Sequence, residues 1–142
     1  MTDTNKVHAF SYTDQNLDEL SISDLRNLHI ALKAITDHLY AEFEALYHRD
    51  EDTNLCATGK LLDGLLAYLD TFRYDIINNL KGRTPMTQND INIRAEVILP
   101  YYIVDGDLTV ANIVMSKVLA ELARAEFCEH NGIQYRPRGE AA

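Results

Sequence analysis

The chain has no tryptophan, only two cysteines (Cys56 and Cys128), three prolines and six glycines in 142 residues. Two thiols build no disulfide framework in a domain of this size, so they read as reduced thiols in a cytoplasmic protein. No two basic residues are adjacent, and 13 Lys and Arg stand against 22 Asp and Glu, a formal net charge of −9. Such a surface repels phosphate backbones and anionic bilayers, so neither a nucleic acid nor a membrane is expected as a partner. Nothing approaches a run of about 18 apolar residues, the length that spans a bilayer. Residues 1–14 hold no apolar run either, so no leader is expected. A Gly-rich phosphate loop, a nucleophile elbow and zinc-spaced cysteines are all missing, and with them the usual marks of those chemistries.

What remains is helical periodicity. Hydrophobic residues make up 46% of the chain and charged residues 25%, the balance of one globular domain with a real core. Residues 1–20 read as a polar, acidic N-terminal arm, 21–132 as a helical bundle, and 133–142 as a tail containing Tyr135-Arg136-Pro137-Arg138. Ser21 begins the first long helix with Asp24 placed to complete a capping box. Leu25, Leu28, Leu32, Ile35, Leu39, Phe43 and Leu46 then step by three and four residues. Beside them runs a second row at the same period: Ala31, Ala34, His38, Ala41, Ala45. Two rows predict a helix packed on two sides, the leucine row inside the chain and the alanine row against a further helix or a second copy.

A second helix is expected from residue 52 or 53 to Lys81, with Gly82 in the left-handed position beyond its end. Its apolar residues, from Leu55 to Leu80, fall within an arc of roughly 160° at ~100° per residue. Thr87 and Asp90 suggest another capping box. After it, Ile91, Ala95, Ile98, Leu99 and Tyr102 fit a helix, while Ile91, Ile93, Ala95, Val97 and Leu99 fit a strand equally well. Helix is the better reading, since a lone strand would have nothing to pair with. Pro100 should end or kink that helix near Leu99. Asp107 caps a last helix running to His130, before Asn131-Gly132. The fold is therefore expected to be all-α, an antiparallel bundle of about four helices with a kinked or broken third.

Chemistry-bearing residues are sparse. Arg73 falls inside the apolar arc of the second helix and must be paired or reach solvent. Glu126 and Glu129, on the continuation of the last helix's apolar face, are its expected partners in an internal ion pair; the functional alternative is an anion site. His38 and Glu42 lie four apart on one face, but a di-iron or hemerythrin-type centre needs ligands that this chain lacks. No metal and no cofactor is expected. Glu126-x-x-Glu129 resembles half of the metal-binding pattern of all-helical nucleotide pyrophosphatases, and the second acidic pair is missing. Tyr101 and Tyr102 either close the bundle end or form an exposed rim.

These readings favour a small acidic protein-interaction module (adaptor, regulator or assembly subunit) over an enzyme. Its expected contact residues are Ala34, His38, Ala41, Ala45, Tyr101 and Tyr102, and its partner is another protein or a second copy, with a homodimer preferred. The alternative is a small-ligand or metal-dependent helical enzyme with its site between the first and last long helices.

Overall fold

Short local signals set the helix boundaries. In the computed structural model, which describes residues 14–44, 54–104 and 106–137, five helices follow in order: α1 (Asp14–Asp18), α2 (Ile22–Phe43), α3 (Ala57–Gly82), α4 (Gln88–Val104) and α5 (Leu108–His130). The protein is all-α, with no β-strand element among the described residues. Ser21 and Asp24 form the expected capping box at the start of α2. Thr87 and Asp90 repeat it before α4, each side chain accepting the other's backbone N–H at 3.1 Å. Asp107 caps α5 by accepting from the Val110 N–H.

Two helices end on left-handed glycines. Gly132 (φ 64°) follows α5, with Gly132 N–H bonded to Glu129 O and Ile133 N–H to Cys128 O. Gly106 (φ 75°) follows α4 with the same pair of bonds, Gly106 N–H to Ile103 O and Asp107 N–H to Tyr102 O. Both are Schellman ends. At the second one, Asp107 closes α4 with its backbone and opens α5 with its side chain, so the chain reverses within a few residues.

The end of α3 departs from expectation. Gly82 is its last helical residue rather than a left-handed one beyond it. The exposed carbonyls are met from another helix: Arg94 of α4 donates Nε–H to Leu80 O at 2.9 Å and Nη2–H to Lys81 O at 3.1 Å. The start of α3 also differs, at Ala57 rather than residue 52 or 53; Leu46 and residues 45–53 lie outside the described part of the chain. Pro100 does not end its helix. α4 continues through it to Val104, with the proline ring exposed; only the N–H that a residue at this position would have donated to Glu96 O is lost.

α2, α3 and α4 pack on one another, and α5 packs on α4. The core is built from Ile22, Leu25 and Leu32 of α2, Phe72, Ile76, Ile77 and Leu80 of α3, and Ile93, Val97 and Ile98 of α4. Part of the expected arm belongs to it: Leu17 of α1 is 2% exposed. Asp18 accepts from the Asn79 amide, and the Leu17 carbonyl accepts from Arg83.

The helix packed on several sides is α4, not α2. Its buried residues (Ile91, Ile93, Val97, Ile98, Leu99) point in several directions, as they must on a helix with neighbours nearly all round. α2 buries one face only. Ile35 of the leucine row is 50% exposed, Thr36 is fully buried in its place with its hydroxyl donating to Leu32 O, and the alanine row is exposed as far as Ala41.

Candidate functional site

Where α4 crosses the α2–α3 pair, the three helices leave a cleft of about 310 Å³. His29, Ile30 and Lys33 of α2 form one wall, Arg73 and Ile77 of α3 the floor, and Glu96, Val97, Pro100, Tyr101 and Val104 of α4 the other wall. A second hollow of about 400 Å³, lined by Asp70, Thr71 and Tyr74, shares Arg73, Ile77 and Tyr101 with the first. Arg73 thus stands at the junction of the two.

Among the described residues Arg73 is held by one polar contact, Nη1 to Asp70 Oδ1 at 3.2 Å. The other Asp70 oxygen accepts from the Tyr40 hydroxyl, and that bond pushes the Tyr40 pKa up. Arg73 Nε is buried with no hydrogen-bond partner among the described residues, and so is His29 Nδ1. Each unmet buried polar atom costs about 1–3 kcal/mol. Burial pushes the His29 pKa below its ordinary value, and the charges of Arg73 and Lys33 push the same way. The acids nearby are already engaged. Glu96 takes two 2.8 Å bonds from Arg26, which lower its pKa, and Asp37 pairs with Lys33.

The cleft between α4 and α5 has different chemistry. It encloses about 290 Å³ beside Lys81, Arg94, Tyr102, Lys117 and Glu121. Lys81 Nζ lies 4.6 Å from the Tyr102 ring centre and 5.0 Å from that of Tyr101, a cation–π arrangement. The Arg94 fork is committed to the α3 carbonyls, and burial pulls its pKa down.

The residues singled out from the sequence are dispersed. Glu126 and Glu129 are exposed on α5, and Arg73 pairs with Asp70 instead of either. Its partner sits three residues away on its own helix, a spacing that was visible in the sequence. Ala34, His38 and Ala41 are exposed on α2, and Ala45 lies outside the described residues. Tyr101 and Tyr102 are half-buried and stack edge-on at 5.6 Å, with Tyr74 of α3 5.9 Å from Tyr101. They belong to the α3–α4 side, so alanine row and tyrosine pair lie on different faces. His29 and Lys33 were not foreseen; their signal was the four-residue spacing that sets both on one side of α2. Among the described residues no group of three or more His, Cys, Asp or Glu could hold a metal ion, and no helix is long and apolar enough to cross a membrane.

No family model, curated protein or solved structure matches this chain.

Proposed function

We propose that the protein is a small acidic helical interaction module whose contact surface is the outer face of α5 and whose partner is a second copy of the same chain. One observation carries this reading: α5 is apolar over a wider face than α4 covers. Ala111 and Ala125 are buried, and Val114, Val118 and Leu122 half-buried, toward α4. Directly beside them Leu108, Met115 and Leu119 are 65%, 40% and 57% exposed. Leu108, Met115, Leu119 and Leu122 step by seven, four and three residues along one side of α5, next to the Ala111, Val118 and Ala125 row that α4 already covers, the spacing of a helix that packs along a seam. A two-fold axis near Met115 would set the Leu108 end of one α5 against the Leu122 end of the other, covering both stripes at once. The row of Ala31, Ala34, His38 and Ala41 offers a second exposed surface of small residues for a further contact.

Light scattering tests this directly. The wild-type chain is expected to run as a dimer at about 100 μM, in the micromolar range of transient self-association. Met115→Glu with Leu119→Glu is expected to give a monomer with unchanged helical circular dichroism. A wild-type monomer at that concentration contradicts self-association through α5.

A further inference from the structure

We propose that the cleft between α2, α3 and α4 is a binding site for a small organic anion with an apolar body, a medium-chain carboxylate, held by Arg73 and Lys33 at its charged end. Three observations meet there. The cavity of about 310 Å³ has a mainly aliphatic lining from Ile30, Ile77, Val97 and Val104, which suits a hydrocarbon chain and gives no reason for a fully hydrated ion to enter. Three side chains able to carry positive charge (His29, Lys33, Arg73) share its wall. Arg73, a planar fork suited to carboxylates, makes among the described residues a single 3.2 Å contact, to Asp70, and its buried Nε has no partner there.

The site also couples to protons. The titratable groups that line the cleft with His29 are Lys33 on α2, Arg73 on α3, and Glu96 and Tyr101 on α4, with Glu96 paired to Arg26. The two cations oppose protonation of His29. A bound carboxylate screens them and favours the imidazolium, so binding takes up a proton and tightens as pH falls.

The test uses octanoate, with octanol (same chain, no charge) and acetate (same charge, no chain) as controls. Binding is followed by NMR shifts and by the titration of the His29 ring. Octanoate is expected to perturb Ile30, Val97 and Val104, to bind at least about tenfold more tightly than either control, and to raise the His29 pKa. Its affinity is expected to rise about threefold or more between about pH 8 and about pH 6. Lys33→Gln, an exposed change that leaves the core intact, is expected to weaken octanoate several-fold and leave octanol unaffected. Arg73→Gln is expected to abolish the preference for octanoate. Lys117→Gln, in the other cleft, is expected to change nothing. Equal affinity for octanoate and octanol, shifts confined to α5 or the α4–α5 cleft, or an unmoved His29 pKa would each overturn the assignment. The His29 and ligand-control measurements use the wild-type chain, so they decide the matter even if Arg73→Gln does not fold.

Discussion

Arg94 and Arg73 are both half-buried arginines, and they differ in what they spend their donors on. Arg94 bridges two terminal carbonyls of α3 with a rigid fork, which a lysine cannot span. Arg94→Lys is therefore expected to cost about 1–2 kcal/mol in urea unfolding, and Arg94→Ala more, by uncovering both carbonyls. His29 has its own signature. Its folded-state pKa lies below the ordinary imidazole value, so between those two values the unfolded chain binds more protons. Its contribution to stability is complete above about pH 6.5 and is lost as pH falls toward the folded-state value. His29→Gln is expected to flatten the stability profile in that window, read by denaturant titration across pH. Asp24 and Glu96 are held below their ordinary values by Ser21 and Arg26. Their contributions persist above about pH 4 and vanish below it. At this scale the capping boxes were legible because a cap is written within four residues. The long-range pairs, Arg26 with Glu96 and Arg94 with the end of α3, were not, since nothing local names a partner on another helix.

At the scale of the element, glycines and one proline make opposed predictions. Gly106 is left-handed with open space around its α-carbon, so Gly106→Ala is expected to destabilise by about 1 kcal/mol through backbone strain alone. Gly64 lies inside α3 with equally open surroundings; Gly64→Ala is expected to stabilise by up to about 1 kcal/mol. Pro100→Ala restores the missing N–H of α4 and is expected to stabilise by about 1–2 kcal/mol, offset in part by the more flexible unfolded chain. Thermal or urea unfolding of the three variants checks all of these. Helical periodicity was enough to find α2, α5 and the body of α3, and the lack of any partner strand decided α4, but periodicity fixes angles only about each helix's own axis. It does not say which neighbour lies at which angle. Hence the leucine row extends past the covered face at Ile35, where Thr36 is buried instead, and hence α2 looked doubly packed. The telling signal was the ambiguity of residues 91–99: a segment that fits both periods carries apolar residues in several directions about its axis, and it became the central helix.

At the scale of the whole molecule, the same arrangement explains both surfaces proposed to act. Because α4 takes the middle, α2 and α3 cover two of its sides and α5 a third, and among the described helices α5 packs extensively on α4 alone. The cleft at Arg73 opens where α4 lies across the α2–α3 pair, and the apolar stripe of Leu108, Met115 and Leu119 is exposed beside the face that α5 turns to α4. A helix supported on one side should open locally more easily than α3 or α4, until something covers its other face. The most direct measurement is amide hydrogen exchange of α5 at two protein concentrations, about 1 μM and about 100 μM, bracketing micromolar self-association. The account predicts that α5 exchanges faster than α3 and α4 in the dilute sample and gains protection in the concentrated one, while α3 and α4 stay as they were. Protection of α5 equal to that of α3 and independent of concentration would contradict it.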